Sequence, residues 1–186
     1  MMRETKQAEK ETMPKQQRGI TVEIPGYQKL QLRYLILDYN GTIALDGTLQ
    51  KGVAERFQQL SEQLEIYIVT ADTHGTVRKL CQQLPVQIHT FPTSEAAEEK
   101  RKIVETLGAD HCVCIGNGRN DLKMCQIAGL SVAVMGEEGM CGKLGAKADI
   151  CVRNITDGLD LLLYTKRLIA CLLYTSPSPR DTERSR

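Results

Sequence analysis

Residues 32–42 read Leu-Arg-Tyr-Leu-Ile-Leu-Asp-Tyr-Asn-Gly-Thr. The short apolar stretch from Leu32 to Tyr39 suits a central strand buried on both faces. It runs into Asp38, just ahead of an Asn40-Gly41 turn signal. A carboxylate at the end of a buried strand, followed by a glycine turn, can hold a metal ion and attack an electrophile. An ordinary strand-to-loop aspartate before an Asn-Gly turn would read the same way.

Outward from that strand the chain alternates between two periodicities. Val53, Phe57, Leu60 and Leu64 share one helical face within residues 51–65, and residues 66–70 form the next strand. Val77, Leu80, Cys81 and Leu84 have helical spacing, and residues 86–90 are strand-like. A helix over 96–107 ends at Gly108, which suits a C-terminal cap. Strands are expected over 111–115, 131–135 and 149–152, with a helix over 121–128. Repeated βα units of this kind predict an α/β fold, a Rossmann-like doubly wound parallel sheet. Its ligand site lies at the carboxyl ends of the strands.

Three further polar clusters stand out. Thr70-Ala71-Asp72-Thr73-His74-Gly75-Thr76 puts a hydroxyl and backbone N–H groups at a helix start, a cradle for an anion or a simple helix cap. Glu98-Glu99-Lys100-Arg101-Lys102 reads as a solvated helix face. Gly116-Asn117-Gly118-Arg119-Asn120-Asp121 has glycines that let the backbone turn tightly near an ion. It lacks the third glycine of a dinucleotide loop.

In this order the four clusters resemble the haloacid dehalogenase superfamily, and within it soluble P-type-ATPase-like proteins. P-type ATPases carry Asp-Lys-Thr-Gly-Thr, Thr-Gly-Asp-x-x-x-Thr, a lysine before a helix, and Gly-Asp-Gly-x-Asn-Asp. This chain has Asp38 to Thr42, Thr70-Ala71-Asp72 with Thr76, Lys100 before Ile103-Val104, and Gly116 to Asp121. The resemblance implies that Asp38 is a nucleophile forming an aspartyl-phosphate, and also a Mg²⁺ ligand. It implies further ligands in the carbonyl of Asn40, in Asn117 and in Asp121, with waters and phosphate completing an octahedral oxygen site. Thr70, Ala71 and Lys100 would hold phosphoryl oxygens, with Thr42, Asp72 and Asn120 in support. Lys100 fits the family spacing better than Lys102.

The chain departs from the phosphatase pattern at two positions. Asn40 stands where most phosphatases of the superfamily carry an aspartate that acts as general acid and base, and Asn117 replaces an expected acidic ligand. The inserts are short. Asp38 and Thr70 are separated by 31 residues and Thr70 and Lys100 by 29, so no cap domain is expected. The expected function is a Mg²⁺-dependent phosphatase or slow phosphotransferase acting on a phosphorylated small molecule or ATP. The alternative is a weakly catalytic regulatory protein linked to cation transport.

Composition narrows the partners. Lys and Arg number 24 against 23 Asp and Glu, a net charge of +1 without a basic stripe, and there is no Trp. Nucleic-acid binding is therefore not expected. No apolar run reaches the roughly 20 residues of a membrane span, and a cytoplasmic location is expected. A subunit interface could supply specificity to an open site, so a homo-oligomer is compatible. The seven cysteines form no metal-type array and read as small core hydrophobes. Residues 1–18 are polar and charged and are expected to be a disordered tail, which leaves 19–170 as the hydrolase-like domain. Residues 171–186, beginning Cys-Leu-Leu-Tyr-Thr-Ser-Pro-Ser-Pro-Arg-Asp, resemble a translated sequencing adapter and are expected to carry no function.

Overall fold

The computed structural model describes residues 18–71 and 76–173. Asp72, His74 and most of the two expected tails therefore lie outside the described residues. The first elements are a hairpin, β1 (Ile20–Glu23) and β2 (Lys29–Leu32), paired antiparallel with Ile20 opposite Leu32. Alternate residues turn inward, so Ile20, Val22, Leu30 and Leu32 join the core. Leu32 thus belongs to β2. The expected central strand is shorter, β3 (Tyr34–Leu37), because Arg33 breaks away to bond the carbonyl of His111.

The elements that follow are β4 (Ala44–Leu45), β5 (Thr48–Leu49), α1 (Val53–Leu60), β6 (Glu65–Thr70), α2 (Thr76–Leu80), β7 (Val86–Thr90) and α3 (Ala96–Leu107). Then come β8 (Cys112–Gly116), α4 (Leu122–Ile127), β9 (Leu130–Val134), α5 (Gly142–Gly145), β10 (Ile150–Val152), α6 (Ile155–Leu163) and α7 (Thr165–Leu172). The main sheet has six parallel strands in the order β10-β9-β8-β3-β6-β7. β3 lies between β6 and β8, and Leu35, Ile36 and Leu37 are fully buried. Each such side chain contributes roughly 1.5–3 kcal/mol through burial, which explains why an uninterrupted apolar run occupies the centre.

Strand alternation splits the core into two layers. Leu35, Leu37, Ile66, Ile68, Val113 and Ile115 pack with Val53, Phe57 and Leu60 of α1, and with α6 and α7. Ile36, Tyr67, Val69, Cys112, Cys114 and Ala133 face Val104 of α3, Met124 and Cys125 of α4 and Leu144 of α5. Cys112 and Cys114, two apart on β8, fall on the same face, where burial pushes the Cys112 thiol up to about 12. Such a thiol behaves as a small hydrophobe.

The C-terminal helices lie beyond the elements expected from periodicity. Asn154 caps α6 by accepting from Asp157 N at 2.9 Å, and Arg56 of α1 forks onto Asp160 of α6 at 2.7 and 3.0 Å. α7 continues to Leu172, across the boundary expected after Ala170. Between Asp38 and Thr70 the chain builds only the small β4–β5 hairpin and α1, so no cap domain covers the sheet there. Among the described residues, no helix is long and apolar enough to cross a membrane.

Candidate active site

From β3 the chain moves first to β6 on one side and only later to β8 on the other. The crossovers diverge between β3 and β8, the position at which open parallel sheets bind ligands at their carboxyl ends. Asp38 sits at that point, its amide bonded to Ile115 O at 3.0 Å and its residue 7% exposed. The chain then turns sharply. Tyr39 O accepts from the amides of Thr42, Ile43 and Ala44, and Gly41 N donates to Ala44 O at 2.9 Å. Gly41 holds a left-handed backbone with φ of 73°, which only glycine adopts without strain. The turn returns Thr42, fully buried, to Asp38. Its hydroxyl lies 3.4 Å from Asp38 Oδ2 and 3.2 Å from Asn117 Oδ1, so its single proton serves one acceptor at a time.

The loop after β8 brings a second carboxylate. Asp121 ends a 3-10 turn, Arg119–Asp121, and folds back so that Oδ2 accepts from Asn117 N at 3.1 Å and Gly118 N at 2.8 Å. Asn120 lies half-buried on the same turn, its Oδ1 against Gly118. Gly116 allows the folding back, since a Cβ there would overlap the Asp121 carboxyl group. Gly116→Ala is expected to displace Asp121 and lower stability by about 1–3 kcal/mol, as overpacking usually does. Thermal unfolding of the variant checks this.

The third element resolves the charge run on α3. Ala96, Lys100 and Val104 recur at four-residue spacing and form the buried stripe, whereas Arg101 and Lys102 face outward and pair with Glu98, Glu105 and Glu99. The expected solvated face therefore excludes Lys100. Its Nζ is fully buried, 2.5 Å from Asp38 Oδ1 and 2.6 Å from Asp121 Oδ1. An ammonium in such a place must be paired. Burial pushes the Lys100 pKa down, but the two carboxylates outweigh it and hold the group above its ordinary value. Burial and the Asp121 charge push the Asp38 carboxyl up to about 6, against the pull of Lys100.

Thr70, also buried, ends β6 beside β3, and Ala71 follows it half-buried at the same end of the sheet. Asn40 is exposed, with an amide in place of a carboxyl group. Asp38, Thr42, Lys100, Asn117 and Asp121 thus converge, Thr70 and Ala71 join their sheet end, and Asp72 lies outside the described residues.

Asp38 and Asp121 with Lys100 carry a net charge of −1. The amide oxygen of Asn117 lies beside them, 3.2 Å from the Thr42 hydroxyl that reaches Asp38. All these donors are hard oxygens, with neither His nor Cys among them, which fits Mg²⁺. Among the described residues no three His, Cys, Asp or Glu side chains converge as a ready-made metal cage. A Mg²⁺ site of the kind that keeps water and phosphate oxygens needs only one or two carboxylates.

One segment near the site was not marked by any motif, the loop 135–141 after β9. Gly136-Glu137-Glu138-Gly139 is another polar, glycine-flanked cluster at a strand's carboxyl end, and that position is the signal that identifies it.

The family model for haloacid dehalogenase-like hydrolases matches residues 2–129. The uncharacterised protein MJ0073 of Methanocaldococcus jannaschii is 41% identical over 75 residues, 38% of this chain and 81% of that protein. The phospholipid-transporting ATPase NEO1 of Saccharomyces cerevisiae is 25% identical over 137 residues, 74% of this chain but 10% of the ATPase. Among solved structures, 3-deoxy-D-manno-octulosonate 8-phosphate phosphatase of Moraxella catarrhalis, in complex with magnesium, phosphate and KDO, superposes with a TM-score of 0.57. That match has 19% identity and covers 75% of this chain and 92% of that one. A subfamily III A hydrolase of Legionella pneumophila gives a TM-score of 0.59 at 18% identity, covering 76% and 87%.

Proposed function

The chain belongs to the haloacid dehalogenase-like hydrolase family, and from that premise we propose that it is a Mg²⁺-dependent phosphatase or slow phosphotransferase in which Asp38 attacks phosphorus. The observation that carries this reading is Lys100, a buried ammonium between the carboxylates of Asp38 and Asp121. An ammonium on Oδ1 orients the Asp38 carboxylate and leaves Oδ2 as its other oxygen. Attack by a carboxylate oxygen forms the bond to phosphorus while the bond to the leaving group breaks. Water then cleaves the aspartyl-phosphate and restores Asp38. Thr70 and Ala71 hold phosphoryl oxygens, and Lys100 offsets charge that develops on them. Asp38, the Asn40 carbonyl, Asn117 and Asp121 would hold Mg²⁺, which when bound would add positive charge beside the phosphate.

The order of the motifs, together with the likeness to an ATPase over three quarters of the chain, favours a P-type-ATPase-like member of the family. The likeness to a phosphatase of 3-deoxy-D-manno-octulosonate 8-phosphate favours a phosphorylated small molecule, and without a cap its selection falls to loops or a subunit interface. Assays on a panel of phosphoesters and ATP, with and without Mg²⁺, test the reading. Turnover that ignores Mg²⁺ would contradict it.

Asn40 and Asn117 favour a second reading, a regulatory protein with little turnover. Restoring the carboxylate separates the two. Asn40→Asp is expected to raise phosphatase turnover by ~10-fold or more, since general acid–base assistance is usually worth ~10²–10⁴-fold. Asn40 and Asn117 each precede a glycine and are prone to deamidate, so intact mass and peptide mapping accompany the assay. A folded Asn40→Asp protein with no gain on any phosphoester, beside a wild type that releases no phosphate, would favour the regulatory reading.

A further inference from the structure

The loop 135–141 runs alongside the Asp38 turn and is pinned on both sides. Gly136 N donates to Arg153 O and Cys141 N to Asn117 O, both at 2.8 Å. Between these pins, Asn117 Nδ2 donates to Gly139 O at 3.1 Å. The loop passes so near that a Cβ on Gly136 would stand 3.2 Å from Gly41 O.

Glu138 is the side chain that this path delivers. Its Oε1 lies 3.5 Å from Asp46 N, in the turn of the β4–β5 hairpin. Its Oε2 lies 2.9 Å from where a Cβ on Gly41 would be, beside the Asn117 amide. Gly41 follows Asn40 and precedes Thr42, whose hydroxyl reaches Asp38. Glu138 therefore reaches the Asp38 turn from outside, exposed to water.

Among the described residues, which leave out Asp72 and His74, the rest of the site contains no base for an attacking water. Asp38 is itself phosphorylated at that stage. Asp121 is held by two backbone N–H groups and Lys100, and the Asn40 amide is a poor proton acceptor. We propose that Glu138 is the general base for hydrolysis of the Asp38 phosphoenzyme, an inference that rests on the covalent mechanism proposed above. The Glu138 carboxylate takes a proton from water as the water oxygen bonds to phosphorus. The bond from phosphorus to the Asp38 oxygen breaks, its electron pair returns to the carboxylate, and inorganic phosphate departs. The proton then passes from Glu138 to solvent.

Glu138→Gln tests this, because glutamine keeps an oxygen to accept from Asp46 N and loses only the basicity. Rapid-quench measurement with a turned-over phosphoester separates the two steps. Phosphoenzyme formation in Glu138→Gln is expected within about twofold of wild type, with decay slowed by ~10²–10⁴-fold. The phosphoenzyme then accumulates in the variant. Decay at the wild-type rate overturns the assignment, as does equal slowing of both steps, which would make Glu138 a positioning residue. If the wild type forms no phosphoenzyme on Asp38, the covalent mechanism fails and the role of Glu138 fails with it. Thermal unfolding of the same variant should match wild type.

Discussion

Asp38→Asn is expected to remove turnover by at least ~10⁴-fold, the scale on which loss of a nucleophile acts, while the protein stays folded. The amide fills the same space and keeps an oxygen for the Lys100 ammonium, so packing at the carboxyl end of β3 is preserved. What is lost is the second negative oxygen, and with it the attack on phosphorus. Stability should hold or rise. The native Asp38 carboxyl is pushed up to about 6 by burial and by Asp121, which means that its ionised form is disfavoured in the folded protein. Steady-state assays beside thermal unfolding read both outcomes. A large fall in stability would indicate that Asp38 serves the fold more than the chemistry.

Lys100→Met should have the larger effect on folding. Methionine fills much of the lysine's volume but leaves Asp38 and Asp121 buried without their shared cation. Removing one member of a buried ionic group usually costs about 3–5 kcal/mol. At roughly 2–4 °C per kcal/mol for a chain of this size, Tm should fall by roughly 6–20 °C. Melting in chelator checks the value without interference from bound cations. The double variant Lys100→Met with Asp38→Asn should recover part of the loss, because only one uncompensated carboxylate remains. Strict additivity of the two changes would show that the pair is not coupled.

The same residues show how much could be read from the chain. The apolar run before Asp38 and the alternation of periods gave the parallel sheet, and α3 and β7 lie where periodicity places them. The hairpin of β1 and β2 is harder to read because its short strands alternate buried and exposed residues and form no apolar run. α6 and α7 lie past the Gly116–Asp121 cluster, where no turn motif marks a boundary. Within the site, Asp38 and Asp121 announce themselves by glycines at strand ends. Lys100 sits in a run of charges where composition alone suggests a wet surface. Only its place four residues from both Ala96 and Val104 turns it to the sheet. Glu138 was least legible, because its approach to Gly41 depends on the path of a loop held by Arg153 and Asn117, far apart in sequence.

The central claim is that phosphorus bonds covalently to Asp38. A turnover reaction quenched in acid and treated with borohydride converts an aspartyl-phosphate to homoserine, which peptide mapping can locate. Homoserine at position 38, dependent on Mg²⁺ and missing from Asp38→Asn, is the predicted result. Homoserine at another aspartate, or none at all while phosphate is being released, would contradict it.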